Sequence, residues 1–248
     1  MITREETVTV AISTLGERVS RIVLPPPTQG ISWTVLAQDP PRTWPDTLIR
    51  EDVACHPLPG RGLSKSRNAA LDLVTTDLML LADDDLEFRP DGILTLAAHM
   101  AGDPGLALCT GIVARPHTTH GKTARDWKVL RAGRIMSAEI MLRRSRLAEL
   151  GVRFDEDFGL GTATPTGEEY ILMADVLQAG GRATYLPALL AHHPGESTGQ
   201  DWDDPALIAA RFRVIDRVFG RLALPVRLAF ALRHRRRLGR HVALALRG

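Results

Sequence analysis

Asp83, Asp84 and Asp85 follow directly on the apolar run Leu78–Ala82. Three adjacent carboxylates repel one another at neutral pH, and burying one without compensation is costly. A solvated turn is the plain reading of such a triplet. A divalent cation is the other, because Mg²⁺ and Mn²⁺ take carboxylate and diphosphate oxygens together. In a strand-like Asp-x-Asp, Asp83 and Asp85 project to one side and can serve one cation, while Asp84 points elsewhere.

Glu168 and Glu169 form a second acidic pair. "TGEE" fits a capping box with Thr166 as N-cap and Glu169 three residues on. A carboxylate poised at a cleft is equally suited to act as a general base, and the spacing alone leaves both readings open. His192 and His193 end an apolar run. They are either polar residues at a strand end or imidazole donors for a metal such as Mn²⁺. "GRGLSKS" (Gly60–Ser66) lacks the second glycine of a Walker-type phosphate loop, which excludes that reading.

These groups need a frame that brings them together. Apolar, β-branched runs predict strands at Val8–Thr14, Ile31–Gln38, around "DVACH", at "LMLLA", at Leu106–Ala114, and at "RATYLPALLAHH". Helices are expected at "RVSRIVL", at "GLSKSRNAALDLVTT" with Ser64 as cap, at "DGILTLAAHMAGD" capped by Asp91, and at "EEYILMADVLQAGG" ended by Gly180. "SAEIMLRRSRLAELG" reads as a strand leading into a short helix. Pro116–Arg134, polar and glycine-bearing, reads as a long mobile loop. Strands alternating with helices predict an α/β fold with a mostly parallel sheet covered on both faces. Ligands of such sheets sit beyond the carboxyl ends of the strands, where the triplet lies.

The charge is unevenly placed. The chain of 248 residues has a formal charge of +2, and Arg221–Gly248 holds eight arginines and no acidic residue, leaving −6 for residues 1–220. That balance argues against nucleic acid as the partner of the main domain. Cys55 and Cys109 show neither metal spacing nor a disulfide framework and fit a reducing cytoplasm. The start "MITREETVTV" lacks the apolar core of a signal peptide, and no run approaches the roughly 18 apolar residues of a spanning helix.

Four segments, in order and at fitting distances, resemble the family 2 glycosyltransferases of the GT-A (Rossmann-like) fold, in particular the bacterial branch that builds capsular or exopolysaccharides. They are "GLSKSRNAAL", "LMLLADDDLEF", "FDEDFGLGTATPTGEEYILMADVLQAGG" and "LPALLAHHPGESTG", and the likeness runs from about Thr7 to Gly199. The resemblance implies an inverting transfer of a sugar from a nucleotide-sugar, expected to be a uridine diphosphate sugar, to a hydroxyl. It places Asp83 near the ribose, with Asp84 beside it in the nucleotide-sugar site, and Asp85 on a bridging Mn²⁺ or Mg²⁺. It adds Asp83 and His193 to the metal shell, with His192 as the adjacent alternative, and Asp39 to the base contact, although "AQDPP" departs from the usual acidic-Gly-Ser pattern. Arg67 and Asn68 match the Arg-Asn pair that shapes the nucleotide site. Glu168 and Glu169 fall on the family's Glu-Asp motif, which makes Glu169 the catalytic base with glutamate in place of aspartate. Gly159 and Gly161 would line the sugar.

The expected glycosyltransferase domain spans residues 1–220. Residues 221–248 read as a separate basic, amphipathic, helical tail, with Leu224, Leu228 and Leu232 spaced by four and the spacing repeated at Leu238, Val242 and Leu246. Such a segment suits an anionic membrane surface, or equally a helix packed on the domain or on a second subunit. The implied partners are a nucleotide-sugar and a saccharide or lipid-linked acceptor. The implied location is the cytoplasm, including the inner face of the cell membrane. Two other readings use the same acidic site: a nucleotidyltransferase, which normally opens with a basic glycine-rich loop that "AISTLGERVSRI" does not supply, and a non-catalytic sugar-nucleotide-binding scaffold.

Overall fold

The computed structural model of the chain describes residues 7–116, 120–194, 202–239, 241 and 243. Strands β1 (Val8–Leu15), β2 (Ile31–Gln38), β3 (Val53–Leu58), β4 (Leu78–Asp83), β5 (Glu87–Phe88), β6 (Leu106–Ala114), β7 (Arg125–Asp126), β8 (Ile140–Arg143) and β9 (Arg182–His192) form one sheet. Its order is β3-β2-β1-β4-β8-β6-β9-β5, with β7 also on β9. The pairs β1–β2, β1–β4, β2–β3 and β6–β9 are parallel, and β8 runs antiparallel to both β4 and β6. Strands β1, β2, β3, β4, β6 and β9 therefore all point one way, and their carboxyl ends share one rim.

The strands are apolar on both faces because both faces are covered. Val8, Val10 and Ile12 of β1 and Leu78, Leu80 and Ala82 of β4 join one core with Ile93, Leu96, Ala97 and Met100 of helix α2 (Pro90–Ala101). The alternate residues Ala11, Met79 and Leu81 join a second core on the opposite face. That core takes Ala70 and Leu71 from α1 (Leu63–Leu73), Leu147 from α3 (Arg144–Leu150), and Leu172, Met173 and Val176 from α4 (Glu168–Gln178). The period of two along each strand thus serves two helical layers.

Several local expectations are corrected. Residues 16–21 form a 3₁₀ turn rather than an α-helix. Gly62, not Ser64, precedes α1, and the Ser64 hydroxyl donates instead to the Phe158 carbonyl at 2.6 Å. Arg89 precedes α2 and Pro90 opens it, so Asp91 is a first-turn residue and not the cap. Gly167, at φ 88°, precedes α4, which removes the capping box and leaves Thr166 outside the helix. The stretch Pro116–Arg134 contains β7 and a 3₁₀ segment, Val129–Arg134, packed near α4, while residues 117–119 lie outside the described ones.

The C-terminal helices begin earlier than the expected boundary at 220. Helix α5 (Pro205–Phe219) is capped by Asp204, whose carboxylate accepts from the Ala206 N–H at 2.7 Å. Its Ile208, Phe212 and Ile215 share one apolar cluster with Ala223 and Ala231 of α6 (Ala223–Arg233) and with Leu238 at the end of α7 (Arg235–Leu238). Its Val214 and Val218 pack with Ile171 and Ala174 of α4. Leu238 is therefore buried rather than part of an outer apolar row, and Val242 and Leu246 lie outside the described residues.

Candidate functional site

The rim formed by the carboxyl ends of the parallel strands gathers the groups singled out in the sequence. β4 delivers Asp83 in register with Ser13 of β1, and the chain turns at Asp84 and Asp85. Asp84 points inward. Its carboxylate accepts from the Thr14 hydroxyl at 2.6 Å and from the Arg18 guanidinium, Nε at 3.1 Å. It is a buried anchor that ties the ends of β1 and β4 to the 3₁₀ turn, which departs from its expected place among the groups touching the nucleotide-sugar.

Asp83 and Asp85 remain partly open to solvent. Burial raises the Asp83 carboxyl above the usual range, against the pull of Arg67, and the charges of Asp85, Asp84 and Glu168 raise it further. Asp85 Oδ1 lies 3.3 Å from His193 Nε2, and Asp85 Oδ2 lies 3.6 Å from Arg18. His193 stands just past β9, and its backbone N–H donates to the Ala114 carbonyl at 2.9 Å, so the end of β6 sets its place. His192 instead pairs in the sheet with Glu87 and Ala114. The structure thus separates the two histidines and puts His193 on Asp85. Asp83 turns to Arg67, with its Oδ1 3.9 Å from the guanidinium. Among the described residues, no three His, Cys, Asp or Glu side chains gather as a ready cation cage.

The second half of the site is stitched to the first through α1. Arg67 is buried, donates to Glu168 Oε1 at 2.8 Å and lies over the Phe154 ring at 5.6 Å. Asn68, next to it, grips the following segment. It donates to the Phe154 carbonyl and accepts from the Phe154 N–H, both at 3.0 Å, and donates to Glu156 at 3.0 Å. The Gln38 side chain holds Gly62 by both backbone groups, at 2.9 and 3.2 Å, and the Leu63 N–H donates to the Leu160 carbonyl at 2.9 Å. Arg67 and Asn68 are thus bonded to protein groups, and what they fix is the position of residues 154–168 against the triplet.

Two glycines make that seam close. Gly159 and Gly161 have φ of 101° and 90°, where side chains are strained. A Cβ on Gly159 would sit 3.0 Å from the Glu168 carboxyl carbon, and one on Gly161 would sit 3.2 Å from the Gly62 Cα. Asp39, also at positive φ (52°), lies on the outer edge and pairs with Arg61 at 2.6 Å, both side chains exposed.

Glu168 and Glu169 open α4, and Glu168 takes the Arg67 ion pair. Glu169 keeps one oxygen, Oε2, shut from solvent and without a hydrogen-bond partner. Burial first and the neighbouring Glu168 charge second push its carboxyl well above the ordinary range, and Arg67 pulls the other way. A buried, unpartnered carboxylate oxygen is expensive unless something arrives to meet it. Ion pairs join Arg67 to Glu168 and Asp83, and His193 to Asp85, and charge interactions couple Asp83 with Asp85 and Glu168 with Glu169.

Sequence reasoning missed three residues here. Arg18 binds Asp84 and faces Asp85, Arg115 feels the charges of Glu139, Asp83 and Asp85, and burial pushes Glu139 up to about 7. None belongs to a motif or a periodic pattern. Only the fact that 115 follows the end of β6, on the rim, could have pointed to one of them.

The buried Arg67–Glu168 pair supports a stability prediction. Replacing Arg67 by Met leaves Glu168 and Asp83 without their shared cation, and the expected loss is about 3–5 kcal/mol at pH 7. Carboxylates stranded in this way hold protons more tightly in the folded chain than in the unfolded one. The deficit should therefore shrink as pH falls toward the ordinary carboxyl range. Urea unfolding at pH 5 and pH 8 measures both effects.

Comparison with known proteins bears on the fold that carries these groups. Residues 50–159 match the family described as glycosyl transferase family 2. No protein with a curated description matches. Among solved structures, S. aureus TarS 1-349 superposes with a TM-score of 0.62 at 12% identity, covering 97% of this chain and 75% of that one. The same protein in complex with UDP-GlcNAc gives 0.58 at 13%, covering 92% and 72%, and in complex with UDP 0.59 at 14%, covering 98% and 75%. At these identities the likeness is one of fold. The matched segment runs from before β3 to Gly159 and includes α1, the aspartate triplet and the first of the two seam glycines. Residues 50–159 thus match glycosyl transferase family 2, and the whole chain has the GT-A fold of the TarS structures.

Proposed function

We propose that the chain is an inverting, metal-dependent transferase that moves a sugar from a nucleoside diphosphate donor to a hydroxyl of a saccharide or lipid-linked acceptor. The observation that carries this reading is the Glu169 Oε2 atom, buried without a partner and linked through Glu168, Arg67 and Asp83 to the Asp85–His193 pair. A carboxylate and an imidazole at an open rim suit a hard or borderline divalent cation. Asp85 and His193 would hold Mn²⁺ or Mg²⁺, with Asp83 facing the ribose and Asp39 at the edge where the base lies. The bound cation supplies stabilisation of the negative charge that grows on the departing diphosphate.

The chain's own groups do the rest. Glu169 takes the proton of the acceptor hydroxyl as that oxygen forms its bond to the anomeric carbon. The bond from that carbon to the diphosphate oxygen breaks on the opposite face and its electron pair leaves with the diphosphate. The raised carboxyl of Glu169 suits a base that must hold a proton after transfer. Gly159 and Gly161 let the backbone come close to the sugar, and Arg18 and Arg115 add positive charge on the diphosphate side. TarS was solved with UDP-GlcNAc and with UDP, which supports a uridine nucleotide here. The bacterial capsular or exopolysaccharide type of pathway and a cytoplasmic site of action belong to the same proposal. No described helix is long and apolar enough to cross a membrane.

A panel of nucleotide-sugars with Mn²⁺, read by thermal shift and by released product, tests the reading. One donor should raise the melting temperature selectively by mass action and release a nucleoside diphosphate. Release of pyrophosphate would favour a nucleotidyltransferase, and binding without slow hydrolysis of any donor would favour a scaffold.

A further inference from the structure

Helix α6 packs one apolar face on α5 and turns a second, leucine-bearing face outward. Its inward face is made of Ala223 and Ala231 with the partly buried Val226 and Phe230, and the buried Arg227 pairs with Asp216 at 3.0 Å and lies over the Phe212 ring. Its leucines face water: Leu224, Leu228 and Leu232 are 55%, 45% and 66% exposed, and Leu222, just before the helix, is 66% exposed. Leu224, Leu228 and Leu232 are spaced by four and line one side of the helix. A row of exposed leucines is not the scatter found on ordinary surfaces.

The row is framed by positive charge. Arg221 at one end and Arg233, Arg235 and Arg236 at the other are exposed. Arg233–Arg237 line a concavity of about 450 Å³. The arm is held firmly on α5, since Trp202 stacks on His234 at 5.0 Å between the guanidiniums of Arg211 and Arg237. The apolar row and the basic hollow are therefore presented together on a fixed scaffold.

We infer that this face docks on an anionic lipid bilayer, with the leucines entering the acyl boundary and the arginines meeting lipid phosphates. The charge decides between occupants. A second copy brought against the same face would set these arginines against their own kind, and Arg221–Gly248 offers no acidic residue to neutralise them. A nucleic acid would satisfy the arginines and leave the leucines in water. Anionic headgroups over acyl chains satisfy both. The inference holds whichever sugar the rim site moves.

Co-sedimentation of the full chain with phosphatidylcholine vesicles, with and without phosphatidylglycerol, tests it. Phosphatidylglycerol should strengthen binding by at least about tenfold, because each arginine near the surface contributes roughly a fivefold factor, and high salt should weaken it. The triple variant Leu224→Ser, Leu228→Ser, Leu232→Ser should keep its melting temperature and lose vesicle binding. Arg233→Glu, Arg235→Glu, Arg236→Glu should lose the preference for phosphatidylglycerol. Binding by the serine variant equal to that of the parent would overturn the inference. So would a parent that ignores vesicles and sediments as a dimer that the serine variant breaks, which would assign the face to self-association.

Discussion

Replacing Glu169 with glutamine is expected to leave donor binding intact and to lower sugar transfer by about 10²–10⁴-fold, the usual contribution of a positioned base. Glutamine keeps the shape of the side chain and removes its ability to take a proton. The expected pH behaviour follows from the raised carboxyl. In the parent, transfer should increase with pH through a value above the ordinary glutamate range, as the base is freed. Stability should move the other way. A carboxyl raised on folding binds protons more tightly in the native chain, so its stabilising effect is complete below the unfolded value and lost as pH rises through the folded one. The glutamine variant escapes that loss and should melt higher than the parent at pH 8, with the difference closing toward pH 4. Steady-state kinetics, donor titration and melting curves on the two proteins check all three statements. Unchanged turnover in the variant would remove Glu169 from the chemistry.

Replacing Asp85 with alanine should abolish the gain in nucleotide-sugar affinity that Mn²⁺ confers and lower transfer by several orders of magnitude. Asp85 lies between His193 on one oxygen and Arg18 on the other, at the solvent-facing rim where such pairs contribute little to stability. Its removal relieves repulsion within the triplet, so the variant should be at least as stable as the parent. Asp84 is the control. It is one residue away, buried, and held by Thr14 and Arg18. Asp84→Asn should weaken those charge-assisted bonds and cost about 1.5–3 kcal/mol of stability. Calorimetric titration of donor with and without Mn²⁺, beside urea unfolding of each variant, separates the two neighbours. An Asp85→Ala protein that still binds donor in a Mn²⁺-dependent way would rule out this residue as the metal ligand.

The contrast between Asp84 and Asp85 also shows what the sequence could and could not tell. The strands were legible because a sheet covered on both faces demands unbroken apolar runs, and "ISWTVLAQ" and "LALCTGIVA" coincide with β2 and β6. The alternation in Asp-x-Asp correctly turned the middle carboxylate away from its neighbours. Helix caps were less legible, because a hydroxyl or carboxyl near a helix start has other suitors. Ser64 bonds across to Phe158, and Gly167 takes the position that Thr166 might have filled. The capping-box reading of Glu169 failed for the same reason, and with it went the plain explanation for that residue. Arg18, Arg115 and Glu139 were invisible because their meaning lies only in which strand end brings them to the rim. The leucine spacing of the tail was legible, but not that α6 turns these leucines outward, since a spacing of four does not say which side packs inward.

Strand β8 was expected as a strand, but its direction was not. Because it runs against β4 and β6, its beginning rather than its end reaches the common rim, just after Glu139. The chain leaves the rim at Arg115 and returns to it at Glu139, having run past β9 and α4 in between. Such an excursion departs from and comes home to one shore. It is moored on the way: Arg125–Asp126 pair with β9, the Trp127 indole donates to the Thr110 hydroxyl, and Ala132 and Ile135 are buried in the second core. The border of the pocket on this side is therefore tied to the floor, and a change in one is felt in the other.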